Sequence, residues 1–217
     1  MWAKRHRDLG RARTQVACRL HAVLCELIAG GVSKRISAPQ AGRLLEGIRP
    51  AGAVEAARYE LAAQFLEDLR RIDAQMSGAT KKLATAVRAS GTTLTSVFGV
   101  GPVVAATVIG EVRMVSRFAD RDHFAACHGT APIEVSSGRR KIYRLSRRGN
   151  RRLNHVIPMA AVTQVSHRHS DGRACYERKL AEGKTPKEAL RSLKRRVSDA
   201  VFTQLQADAR QAAADPR

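Results

Sequence analysis

Residues 94–112, LTSVFGVGPVVAATVIGEV, set Gly99 and Gly101 between two apolar runs and follow them with Pro102 and the small pair Ala105 and Ala106. The spacing is hydrophobic, Gly, hydrophobic, Gly, three residues, Ala, and it predicts a helix-hairpin-helix. Glycines let the backbone turn tightly and bring its N–H groups near a phosphate at the start of the second helix, where the dipole is positive. Pro102 suits the first helical position, where its missing N–H is not needed. The alanines let two helices pack closely. An ordinary corner between helices that touches nothing is the other reading of the same spacing.

Upstream of this hairpin the periodicity is helical. Residues 4–29 place Leu9, Val16, Leu20, Val23, Leu24 and Leu27 at three- and four-residue steps, and Gly30-Gly31 supplies a stop. The opposite face carries Arg5, Arg7, Arg11, Arg13 and Arg19, as a solvated face or as a phosphate contact. Residues 31–53 hold Pro39, Pro50 and several glycines, and read as a connector with one short helix over residues 41–45. Residues 54–89 read as a much longer helix with one stripe: Leu61, Phe65, Leu69, Ile72, Met76, Leu83 and Val87. A narrow stripe on so long a helix is the profile of a coiled coil or a helical-hairpin arm. Residues 4–29 of the same chain, or a second protomer, would cover it, so a homo-oligomer formed through the arm is expected beside the intramolecular hairpin.

Downstream, residues 185–205 give a further helix, with Thr185 as cap, Pro186 in the first turn and a core stripe of Ala189, Leu193, Val197, Val201 and Phe202. No period-2 segment longer than KIYRL, residues 141–145, stands outside the helices. The expected fold class is mostly α: a long helical arm or coiled-coil hairpin, then a compact helical domain containing the helix-hairpin-helix. The expected boundaries are 1–90 for the arm with its basic first helix, 91–206 for the compact domain, and 207–217 for a fraying tail rich in Ala, Gln and Asp.

The chain has 217 residues, 39 Lys and Arg against 19 Asp and Glu, and a net charge of +20. Most of the basic residues are arginine, whose planar fork of donors fits phosphate better than the point charge of lysine. The excess implies a polyanionic partner, with nucleic acid the default. A membrane surface is the weaker alternative, because no apolar, aromatic-rimmed helix accompanies the charge. Four cysteines lack CxxC spacing, and Cys18 and Cys25 lie seven apart on one helix, unable to pair with each other or to make a zinc site alone. Reduced thiols, the absence of a signal peptide and the absence of any span of about 18 apolar residues lead to the expectation of a soluble cytoplasmic protein.

Residues 136–152, SSGRRKIYRLSRRGNRR, put eight Lys and Arg into the fourteen positions 139–152. Gly149-Asn150 is a turn pair, from which Arg147, Arg148, Arg151 and Arg152 would fan out at a helix start onto backbone phosphates. Asn150 belongs to the same candidate nucleic-acid-binding set, as do Gly99 and Gly101. Ser136-Ser137 on its own reads as a loop or helix-cap pair.

From the hairpin onward the order of features resembles the C-terminal domain of the one-ten/one-sixteen/nine-oh-two group of bacterial insertion-sequence transposases. The matching elements are Gly99 to Pro102, Arg117-Phe118, Gly129 with Pro132, Ser137-Gly138, and Arg147 to Arg152. They cover about residues 92–205, with a looser likeness over 4–90. The resemblance implies a DNA transposase in which the serine of the Ser-Gly step, Ser137 here with Ser136 its neighbour, attacks a DNA phosphodiester and forms a phosphoserine intermediate. Arg139, Arg140, Lys141 and Arg144 could then stabilise the alkoxide and the phosphorane. No histidine stands beside Ser137 in sequence, and His123, His128 and His155 are those that folding could bring near it.

Members of the group carry a RuvC-like nuclease domain ahead of this region, and its carboxylates bind magnesium. Asp8, Glu26 and Glu46 make no such cluster, and no run of alternating strands precedes residue 54. The resemblance therefore implies an N-terminally truncated transposase with no cofactor in this chain, Mg2+ being expected only on the missing domain. DNA is the implied partner, and a structured guide RNA is a further one. Asn154 stands where members more often have arginine, and Arg147-Arg148 replaces a commoner lysine-bearing step. A non-catalytic nucleic-acid-binding remnant or domesticated module is the alternative from a different functional class.

Overall fold

The computed structural model describes residues 1–32, 36–137, 140–145 and 149–214, the two strands by their backbone alone. The elements are α1 (Trp2–Leu27), α2 (Ala38–Glu46), α3 (Ala53–Ala89), α4 (Pro102–Val112), α5 (Arg121–Cys127), β1 (Pro132–Ser137), β2 (Arg140–Leu145), α6 (Leu153–Ser166), α7 (Asp171–Ala181) and α8 (Pro186–Ala214). The fold is mostly α, with one antiparallel strand pair inserted between α5 and α6. Contacts divide the chain into two units, Met1–Lys82 and Leu83–Arg217, the division falling within α3.

In the first unit the arm's stripe is covered from within the chain. Leu20 and Leu24 of α1 pack with Ala62, Leu66 and Leu69 of α3 and with Ala38, Ala41 and Leu45 of α2. Further along, Leu9 meets Ile72 and Ala79. The stripe is rotated at its start from the one read in the sequence: Leu61 is 41% exposed, whereas Ala62 and Leu66 are buried. The seam therefore runs through Ala62 rather than through its larger neighbour. Part of the basic face of α1 is spent on α3, with Arg13 bonded to Asp73 and Arg5 donating to Gln75. Ser37 and Gln40 form a reciprocal capping box that starts α2.

The second unit is built around Phe124. Its ring lies edge-on to Phe118 and His128 and is stacked on Phe202 of α8, with centroids 5.2, 4.7 and 5.4 Å away. Around it α4, α6 and α8 contribute Ala105, Val108, Val112, Leu153, Ile157, Leu193, Val197 and Val201. The α8 stripe is as its periodicity predicts, and Thr185 and Glu188 cap the helix reciprocally. The residues from 207, expected to fray, instead continue α8 to Ala214. Asp208 explains part of this order, since its carboxylate accepts bonds from the Thr92 hydroxyl and from the Thr93 amide and hydroxyl.

Residues 94–112 differ from expectation in their first limb. Only a single 3-10 turn, Leu94–Ser96, precedes the glycines, and a second turn closed by Val100 N–H to the Val97 carbonyl leads into α4. Gly99 has φ +85°, and a Cβ there would fall 2.6 Å from the Ala160 carbonyl oxygen of α6. Only glycine allows both the left-handed turn and this backbone approach.

Candidate functional site

The strand pair rises from the C-terminal end of α5, and both of its ends are tied there. On the entering side, the amides of Thr130 and Ala131 donate to the Ala125 carbonyl. On the leaving side, the Asn150 amide donates to the Cys127 carbonyl at 2.8 Å. Gly149, at φ +112°, makes that contact possible, because a Cβ would stand 2.2 Å from the same Cys127 oxygen. Register pairs Pro132 with Leu145 at the tied end and Ser137 with Arg140 at the other, with Ser136 opposite Lys141 and Ile133 opposite Arg144. Five residue steps at strand spacing carry Ser137 about 17 Å from the tied end.

Glu111, at the end of α4, fixes the return of the chain into α6. Its carboxylate accepts from Asn150 Nδ2 at 2.7 Å and from the Arg152 guanidinium. Asn150 is engaged on its other side too, its Oδ1 accepting from the amides of Arg152 and Leu153 at 2.9 and 3.1 Å. Those amides stand at the start of α6, whose N-cap Arg152 has no side-chain cap of its own, so Asn150 supports the turn that leads into the helix. The sequence reading missed Glu111. Its one signal was an acidic residue at the end of an otherwise apolar helix, 39 positions before Asn150.

The residues singled out in the sequence thus fall into distinct places. Gly99 is required by packing on α6. Gly101 is exposed, precedes α4 with extended backbone, and has nothing within 4 Å of where a Cβ would be. Ser136 and Ser137 lie in β1, and Arg140, Lys141 and Arg144 in β2. Arg139, Arg147 and Arg148 lie outside the described residues. Arg151 is exposed, and Arg152 is half exposed and paired with Glu111. The structure brings Asn150 and Arg152 together on Glu111 and sets Ser137 beside Arg140 in register.

The three histidines considered near Ser137 are separately placed. His123 is exposed and bonded to Asp120, the cap of α5, at 2.9 Å. His155 is exposed on α6. His128 is fully buried, with Nε2 3.0 Å from the Ser198 hydroxyl and Nδ1 unpaired. Burial pushes its pKa down to about 4, and the charge of Arg195 adds to the shift. A neutral, enclosed imidazole belongs to the core. All four cysteines are free thiols, Cys18 and Cys25 exposed and Cys175 buried. Among the described residues no group of three or more His, Cys, Asp or Glu is placed to hold a metal. None of the described helices is long and apolar enough to cross a membrane.

The geometry defines a basic, mostly α domain that holds the entering and leaving chain of an inserted strand pair at one end and continues through Asn150 into α6. Residues 91–177, which contain this whole arrangement, match the family model described as Transposase IS116/IS110/IS902 family. Over this domain the chain is similar to that family. It is also similar to the insertion element IS116 uncharacterized 44.8 kDa protein of Streptomyces clavuligerus, with 36% identity over 108 residues. That match takes in 49% of this chain and 27% of the relative, so the chain spans about a quarter of the relative's length.

Proposed function

We propose that the chain acts in the transposition of an insertion sequence, in the cytoplasm, as a DNA strand-transfer enzyme whose nucleophile is Ser137. The observation that carries this reading is the family match over residues 91–177, within which Ser137 ends β1 directly opposite Arg140. In the proposed step the Ser137 oxygen attacks a DNA phosphorus and loses its proton to solvent. The bond from phosphorus to one strand's oxygen breaks, and that oxygen takes up a proton. A phosphodiester is exchanged for a phosphoserine diester, which a strand end from another DNA can resolve by the reverse step. One ester replaces another, so the exchange needs no external energy source.

Arg140, opposite Ser137 in register, with Arg139 and Lys141 beside it in sequence, supplies positive charge against the negative charge of the phosphorane, whereas Arg144 pairs with Ile133 about 13 Å further along the strand and would meet a neighbouring phosphate. Arg147, Arg148, Arg151 and Arg152 hold flanking phosphates, which position the duplex without reading its sequence. The open face of Gly101 leaves the first amides of α4 approachable by one more phosphate. Magnesium, which the resemblance implies, has no candidate seat among the described residues and would be held by carboxylates of another domain. A structured guide RNA is the further partner implied by resemblance. A second copy would associate through the arm, where α3 leaves Val54 and Leu61 exposed seven residues apart on one face.

The test is a trapping experiment with a nicked suicide substrate carrying the element's end, supplied with a family nuclease domain in trans. A protein–DNA adduct stable to denaturation is expected from the parent chain and from Ser136→Ala, and none from Ser137→Ala. No adduct from the parent chain, or an adduct that survives Ser137→Ala, overturns the proposal in favour of a non-catalytic binding module.

A further inference from the structure

Phe98 is held out into solvent by a scaffold that leaves it little freedom. The chain has only five Phe, three Tyr and one Trp, yet this ring is 41% exposed. Its backbone is pinned from two directions. Buried Gln164 of α6 donates from Nε2 to the Phe98 carbonyl at 2.7 Å, and the next residue is Gly99, seated against Ala160. Gln164 fits only because position 172 in α7 is glycine, since a Cβ there would fall 1.9 Å from its side-chain oxygen. Three positions thus fix the backbone that carries the ring, while the ring itself stands partly in solvent.

What surrounds the ring is aromatic and polar-edged. His167 and His169, both exposed, stand edge-on to Phe98 with centroids 5.5 Å away, and 5.8 Å from each other. The His167 Nδ1 donates to the Thr163 carbonyl at 2.7 Å, which fixes that ring's orientation. A cleft of about 290 Å³ opens beside them, lined by Ser96, Phe98, Gln164, His169, Asp171 and Arg196. Arg168, between the two histidines in sequence, is exposed, as is Arg196 in the cleft lining, one of whose nitrogens donates to Cys175 Sγ. A nucleobase matches this composition: a flat π face for Phe98, polar edges for the imidazoles, and flanking phosphates for the arginines. Within a duplex the base faces are already stacked, so only an unpaired base can use such a surface.

We infer that Phe98, flanked by His167 and His169, is a stacking platform for an unpaired base of single-stranded DNA whose backbone is held by Arg168 and Arg196. The strand is DNA because the inference rests on the proposed DNA strand transfer, in which the broken strand is released with a free end that can present unpaired bases. The platform lies outside the strand pair that carries Ser137, so it would hold a base of that released strand rather than the reacting phosphate.

The experiment measures binding of the whole chain to a single-stranded DNA containing 2-aminopurine, to the matching duplex and to the same sequence in RNA. Anisotropy gives affinity, and quenching of 2-aminopurine reports stacking. Phe98→Ala is expected to weaken single-strand binding about tenfold, abolish the quenching, and leave duplex affinity within about twofold. Phe98→Trp is expected to restore both signals, and unchanged melting of the two variants shows that the exposed ring is not structural. Equal losses on single strand and duplex, no loss on either, or quenching with RNA alone would overturn the platform while leaving DNA binding intact. No binding of any DNA by the parent chain would instead bring down the DNA reading as well.

Discussion

The carbonyl of Cys127 receives the Asn150 amide and leaves no room for a side chain at position 149. One backbone atom therefore ties the return of the strand pair to α5. Gly149→Ala should strain this joint, both through its left-handed backbone and through the 2.2 Å approach. His128 gives a second residue-level consequence. Its ordinary pKa of 6.5 falls to about 4 in the fold, so the unfolded chain takes up a proton at a pH where the folded chain does not. The stability due to its neutral form is complete above about 6.5 and is lost progressively as pH falls toward 4, by about 3 kcal/mol. Urea unfolding at pH 7 and pH 4.5 should show this loss, and His128→Leu should show a smaller one. An equal loss in both would contradict the assignment.

At the scale of elements, α4 and α6 are joined through Glu111. Because its carboxylate serves both Asn150 and Arg152, Glu111→Ala should cost about 1–3 kcal/mol, whereas Arg152→Ala, at a half-exposed position, should cost less. Hydrogen exchange is the sharper check. The amides of Arg152 and Leu153 should exchange faster in Glu111→Ala and should remain protected in Arg152→Ala. Local signals made the helices legible: Thr185 before Pro186, the α8 stripe, and the turn at Gly149-Asn150 with a helix start after it. Glu111, Gln164 and Asp208 were not legible, because each acts on a partner 39 to 116 positions away and periodicity carries no such information. The start of the α3 stripe was misread for a related reason. Leu61 fits the periodicity, while Ala62 is the residue buried against α1 and α2. Phe98 was counted among the apolar residues of the hairpin, and only folding shows its ring left in solvent.

Over the whole molecule, the charge fits the proposed DNA partner. A net charge of +20 should make DNA binding steeply salt-dependent, with affinity falling on the order of 10³-fold between 50 and 200 mM salt. Affinity that barely moves over this range would argue against phosphate contacts as its source. Binding alone does not separate an enzyme from a module that merely holds DNA, and so the bond itself is decisive. Tryptic digestion of the trapped complex releases residues 122–139, which include both Ser136 and Ser137. The account predicts a nucleotide mass on this peptide, with fragmentation placing it on Ser137. A nucleotide on Ser136, on any other residue or on none would contradict it.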